Sequence, residues 1–349
     1  MNLRIRLALT LAFLGICGAL VIWFASDDPV RVAEGAGGNA TSASATDDRF
    51  RWQSSRQCQE CHQDVWNEWF GSHHQISFLN PEVALQSEDF RKTECRACHL
   101  PQQVAVTGFA QRALPRQTRP DEGVDCITCH VNERGQVMAR NAVSSAPCKP
   151  IADDRFLSVS LCEGCHNQHQ TTDQWRASEF AAKGQSCNDC HMPQVDRSGG
   201  KRGRHHGWSG AHDLATLKAA ATMTACIDGG ELVLSLHNHG AGHNFPTEER
   251  HRAVDLLYSF ADGDGKRAEG VDAAGNPTDF ALAYRFRQPY RDESGDNTQL
   301  PSGATKEVRV PIPADAVSVT VRLWYRLQPY VGDDHPASSL LDEKVLEIR

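Results

Sequence analysis

Tyrosine and methionine are scarce in this 349-residue chain: five tyrosines, none before Tyr258, and four methionines. The first 257 residues therefore offer no phenol for redox or covalent chemistry. Beyond Met1, only Met138, Met192 and Met223 offer a thioether. An excess of basic charge is also missing, since 36 Lys and Arg face 44 Asp and Glu for a formal net charge of −8. That balance argues against nucleic acid and against anionic lipid as partners. Long apolar runs are confined to Leu7–Phe24, which contains no charged residue.

That run follows Arg4 and Arg6 and is near the roughly 20 residues of a membrane span. It is longer than the usual signal h-region of about 7–15 residues. Residues 1–26 thus read as an anchor, with the arginines inside and the rest of the chain exported. Cleavage near Ala25-Ser26, which would leave a soluble periplasmic protein, is the alternative; Trp23 stands where a small side chain is wanted. Cys17 follows Ile16, a poor fit to a lipoprotein site. Residues 27–50 are rich in Gly, Ala, Ser and Thr and read as a flexible linker.

Thirteen cysteines suggest a disulfide framework until their spacing is examined. Ten fall into five C-x-x-C-H units: Cys58-Cys61-His62, Cys95-Cys98-His99, Cys126-Cys129-His130, Cys162-Cys165-His166 and Cys187-Cys190-His191. In such a unit two thiols add to the vinyl groups of a haem, and the next histidine ligates the iron. Zinc also uses paired C-x-x-C units, but it does not require His after the second Cys five times in five. The spacing predicts five covalently bound haems c. First cysteines lie 37, 31, 36 and 25 residues apart. Segments this short build little side-chain core, so the porphyrins must supply much of the apolar interior.

The chain also repeats itself. Cys58 to Pro101 and Cys162 to Pro193 each hold two C-x-x-C-H units around a Trp-x-x-Ser, at Trp69/Ser72 and Trp175/Ser178. After Ser72 come His73 and His74; after Ser178 comes Glu179. His62, Trp66, Trp69 and His73 fall at helical spacing on one face. A helix that long spans about 16 Å, so His62 and His73 would serve different irons.

These segments resemble the multihaem cytochrome superfamily that includes hydroxylamine oxidoreductase, the pentahaem nitrite reductases and the tetrahaem cytochrome of ammonia oxidation. The resemblance rests on Cys58 through His74, Gly123-Val-Asp-Cys126, Cys162 through Pro193, His205-His206-Gly-Trp208-Ser-Gly-Ala-His212-Asp213, and Asn238 through Thr247. It implies distal iron ligands at His73 or His74, His205 or His206, His212 and His243. It leaves a fifth unassigned. With methionine so scarce, mostly bis-histidine ligation is expected.

Past Thr222 no haem motif occurs. Glu231–Leu236, Val254–Phe260, Ala281–Phe286 and Val308–Ile312 read as strands, and Val317 to Leu323 alternates with period two. The expected fold is a mainly α, haem-packed domain with little regular structure at 51–221, then an all-β, sandwich-like domain at 222–349, behind an N-terminal transmembrane helix. Cys148 and Cys226 are left over and are candidates for a disulfide.

The expected function is an electron-transfer relay with every iron capped, on the periplasmic face of the bacterial inner membrane. Its partners would be a quinol dehydrogenase or periplasmic cytochromes. The alternative is a multihaem redox enzyme with one open iron, acting on a small nitrogen or sulfur compound. Against the enzyme, all five motifs end in His, where the resembled nitrite reductases commonly use a Lys-ended motif. The haem region also lacks the tyrosine that hydroxylamine oxidoreductase cross-links to its haem.

Overall fold

A C-x-x-C-H unit needs one turn of helix, because residues three apart share a face and the histidine then follows beside the second thiol. The computed structural model describes residues 51–349 except 248–250, 266, 268–269 and 291–292. In it, the short helices Thr93–His99, Cys126–His130, Ser160–His166 and Cys187–His191 each end on the motif histidine. Local chemistry starts two of them. Asp125 accepts from the Thr128 N–H and Ser186 faces Asp189, each a reciprocal cap of the first turn. Non-helical residues stop two of them at once, at Leu100 and at the extended Val131.

The first motif departs from this pattern. Helix Arg56–Gln59 ends inside it, and His62 precedes a second helix, Gln63–Trp69. That helix buries Trp66 and Trp69 and stops there, because Phe70 is extended and Gly71 takes a φ of 86°. The continuous helix from His62 to His73 expected from the spacing is therefore not formed. The repeat is visible in another way: the Trp69 indole donates to the Val124 carbonyl and the Trp175 indole to the Gln185 carbonyl, each at 2.9 Å.

Seven strands form the main structure from Thr222 on. They are β1 (Thr222–Asp228), β2 (Glu231–His237), β3 (Ala253–Asp262), β4 (Ala281–Phe286), β5 (Thr305–Pro311), β6 (Ala316–Arg326) and β7 (Ser338–Glu347). One sheet has the order β4-β3-β6-β7 and the other β5-β2-β1, with antiparallel pairing throughout. Alternate residues of both sheets meet in one core: Leu232, Leu234 and Leu236 from β2, Val254 and Leu256 from β3, and Val319, Val321 and Leu323 from β6. Leu217, from helix Leu214–Ala220, is buried in that same core.

The expectation of a mainly α region followed by an all-β one is corrected here. Helix makes up 25% of the structure and strand 28%, a mixed helix and sheet fold. The haem-motif helices run only four to seven residues, a strand hairpin at Gln194–Arg197 and Lys201–Arg204 follows the last of them, and a helix completes the strand core. The expected transmembrane helix is likewise not seen. Among the described residues no helix is long and apolar enough to cross a membrane, and the Leu7–Phe24 run lies outside them. The linker at 27–50 lies outside them too. Cys148 and Cys226 are both free; Cys226 is exposed on β1, and Cys148 lies within electrostatic reach of Cys58.

One buried ion pair ties the larger sheet together. Asp255 accepts from Arg326 at 2.5 Å and from Arg285 at 2.7 Å, and both Asp255 and Arg326 are almost fully buried. Removing one partner strands the other charge in the interior. Asp255→Ala should therefore cost about 3–5 kcal/mol in chemical denaturation. A loss below about 1 kcal/mol would show that the cluster is not holding the sheet.

Candidate haem-binding centre

Several of the motifs touch. The thiols of Cys58 and Cys126 hydrogen-bond, as do those of Cys162 and Cys187. Cys129 lies within electrostatic reach of Cys162. Motifs one, three, four and five are thus neighbours in space, and groups carried on their thiols would be neighbours as well.

An imidazole binds a metal through the nitrogen that carries the lone pair, and the hydrogen bond made by the other nitrogen decides which one that is. Here the Nδ1 atoms of His99, His130 and His191 lie 3.0, 3.1 and 2.6 Å from the carbonyls of Ser77, Met138 and Ser209. His206 and His243 do the same, at 2.8 Å from the Arg204 carbonyl and 2.9 Å from the Asn244 carbonyl. With Nδ1–H donating, Nε2 is left as the ligand atom on each ring.

The rings also come in pairs at a telling distance. Two imidazoles on one metal atom, each with Nε2 about 2 Å from it, hold their ring centroids about 6 Å apart. His74 and His166 are separated by 6.1 Å, His130 and His206 by 6.3 Å, and His191 and His243 by 6.2 Å. Each pair joins one motif histidine to one histidine from outside the motifs. Burial lowers the basicity of His130, and burial together with the charge of His130 takes His206 down to about 4. Both rings are therefore neutral near pH 7, as iron ligands must be. Paired thiols, a following histidine and a second imidazole at this spacing fit a covalently bound haem.

Residues 57–131, which hold the first three motifs, match the family described as cytochrome c554 and c-prime. These residues are thus similar to the multihaem cytochromes c. Its fold is similar to that of a penta-heme cytochrome c552 from Thermochromatium tepidum, at 20% identity and a TM-score of 0.59, over 86% of this chain and 99% of that one. No curated protein matches the chain.

Not every histidine singled out in the sequence sits opposite a motif histidine. His73 stacks on His212 at 3.7 Å, and burial leaves both with lowered pKa, His212 at about 4. His205 Nδ1 accepts from the Gly207 N–H at 3.0 Å, so its proton sits on Nε2, the wrong nitrogen for a ligand. Within each adjacent pair the geometry thus separates His74 from His73 and His206 from His205. No histidine ring faces His62 among the described residues; its neighbours are Lys201 and Arg197, whose charges add to burial in lowering its pKa.

His243 reaches His191 from the loop between β2 and β3. Asn238 donates to the His243 carbonyl at 2.9 Å, and Gln174 accepts from the Asn244 N–H and from Thr247 Oγ1. At Gly242 a Cβ would sit 3.3–3.4 Å from Phe180 and Trp175, so a side chain there would press on both rings, and the loop packs closest without one.

Sequence reasoning missed Glu68. Its carboxylate accepts from Arg197 Nε and Nη2 at 2.8 and 2.7 Å and from the His206 N–H at 3.0 Å. Arg197 in turn donates to the Arg204 carbonyl, the acceptor of His206 Nδ1. Glu68 therefore orients His206 through two routes. Burial pushes its carboxyl up, but Arg197 and the His206 N–H outweigh that and hold it below its ordinary value of 4.5. Its contribution is complete above that value and fades as pH falls through the folded one. Glu68→Gln should cost about 1–3 kcal/mol at pH 7 and less at pH 3–4. It should also shift the electron paramagnetic resonance of one low-spin iron. Unchanged signals from every iron would refute the positioning role.

Proposed function

We propose that this protein is an exported pentahaem cytochrome c that relays electrons. The observation that carries the reading is the set of three histidine pairs at 6.1–6.3 Å, each built on a C-x-x-C-H unit. A haem at each pair would be held by two imidazoles, which would suit its iron to electron transfer rather than to substrate binding. The thiol contacts between motifs one and three and between motifs four and five, with Cys129 within electrostatic reach of Cys162, support a path through four of the five centres. In this reading Cys58, Cys61, Cys95, Cys98, Cys126, Cys129, Cys162, Cys165, Cys187 and Cys190 carry five haems. His62, His99, His130, His166 and His191 are the proximal ligands, and His74, His206 and His243 cap three of the irons. The chain's part is to hold these rings, fix their tautomers and exclude water; the haems supply the one-electron chemistry.

Export is motivated by Arg4, Arg6 and the apolar run that follows them. Outside the cytoplasm the acidic chain suits a basic redox partner, a quinol dehydrogenase or another periplasmic cytochrome, donating or accepting electrons. The second reading, a redox enzyme with one open iron, would need a motif histidine outside the three pairs to hold that iron.

Intact mass of the matured protein should exceed that of the polypeptide by five haems. Three or fewer, with free thiols at the remaining motifs, would sink the reading. His243→Ala should keep all five haems, because attachment depends on the motif thiols, and should turn one low-spin iron high-spin. If every iron stays low-spin with unchanged potentials, the loop after β2 does not cap a haem.

A further inference from the structure

Two histidines outside the haem arrangement lie side by side at the end of β2. His237 is the last residue of that strand and His239 follows it by two, so both rings stand on one side of the chain, while Asn238 between them is fully buried. Their ring centroids are 5.8 Å apart, close to the separation of the three pairs described above. Unlike those pairs, neither ring belongs to a C-x-x-C-H unit. The neighbours decide which nitrogens are open. Thr222 of β1 and Thr305 of β5 are the register partners of His237 on its two sides. His237 Nδ1 lies 3.0 Å from Thr305 Oγ1 and 3.2 Å from the Ala304 carbonyl, so with Nδ1–H donating, Nε2 carries the lone pair. His239 Nε2 lies 2.8 Å from Thr222 Oγ1; with that N–H donating, the lone pair sits on Nδ1. Both rings are thus held in place by hydrogen bonds that leave one nitrogen each to bind a cation. A carboxylate stands close by: Glu179, at the start of helix Glu179–Ala182, is within electrostatic reach of His237.

We propose that His237 and His239 chelate a divalent transition-metal ion of the zinc or copper kind, and that Glu179 joins them as the third protein ligand. Imidazole nitrogen suits these ions, and two imidazoles with one carboxylate leave a position for water. Among the described residues no three such side chains already converge on one point. Glu179 completes the set by turning from Lys183, which it holds at 2.7 Å in an exposed i,i+4 pair. Such a surface pair contributes little and yields to a divalent ion. The ion would join the end of β2 to helix Glu179–Ala182 of the haem region, just ahead of the loop that carries His243. None of the three residues holds a haem, so the site stands or falls separately from the haem reading.

The test uses the full-length matured protein without an affinity tag. Equilibrium dialysis against zinc, followed by elemental analysis, should find one zinc per chain. His237→Gln and His239→Gln keep side chains that can hydrogen-bond the threonines. Each should weaken binding roughly tenfold or more, with the haem absorption spectrum unchanged. Glu179→Gln should weaken it several-fold. With cupric ion as a second probe, electron paramagnetic resonance of the wild-type protein should show a copper signal split by two nitrogens. The double variant His237→Gln, His239→Gln should lose that signal. No zinc bound, zinc held equally well by the double variant, or a copper signal without nitrogen splitting would overturn the site. Zinc affinity left unchanged by Glu179→Gln would overturn the third ligand and, with it, the link to the haem region.

Discussion

Two imidazoles that share one iron must keep their rings about 6 Å apart with Nε2 of each turned inward. Three pairs of histidine rings lie at that spacing. Motif histidines are set at the ends of one- or two-turn helices, where the chain leaves the helix at once and the ring stays clear of the next turn. Their Nδ1 atoms are tied to carbonyls from other segments, at Ser77, Met138 and Ser209. The partner rings come from far along the chain: His74 crosses to His166, His206 to His130 and His243 to His191. The chain therefore cannot place one ligand without folding several segments together.

This accounts for the part played by the strands. The two sheets share a core with helix Leu214–Ala220, and the loop after β2 is held by Asn238 on one side and by Gln174 of the haem region on the other. The sheets thereby act as a rigid mount for His243. Glu68 has the same role nearer the first motif, where a single carboxylate fixes both Arg197 and the backbone that carries His206. Neither device contributes a ligand, yet both decide where one stands.

The legible and illegible parts of the sequence divide along this line. C-x-x-C-H is local chemistry, confined to five consecutive residues, so the thiols and motif histidines could be read directly. Strand alternation such as Val319, Val321 and Leu323 is local as well, and those residues do lie in β6. The choice between His73 and His74, or His205 and His206, depends on ring orientation across the fold, and no spacing rule carries that. Glu68 and Arg197 meet across 129 positions of chain. The break at Gly71 overrode a periodic pattern that ran on to His73, and a short strand hairpin and a core helix turned an expected α-then-β division into a mixed fold.

The central claim is that histidine pairs, not vacant or thioether-capped irons, make up most of the haem centres. Near-infrared magnetic circular dichroism of the oxidised protein separates low-spin ligand pairs by the energy of their charge-transfer bands. At least three irons per chain with bis-imidazole ligation are predicted. Fewer than three, with the balance high-spin or histidine–methionine, would contradict the account.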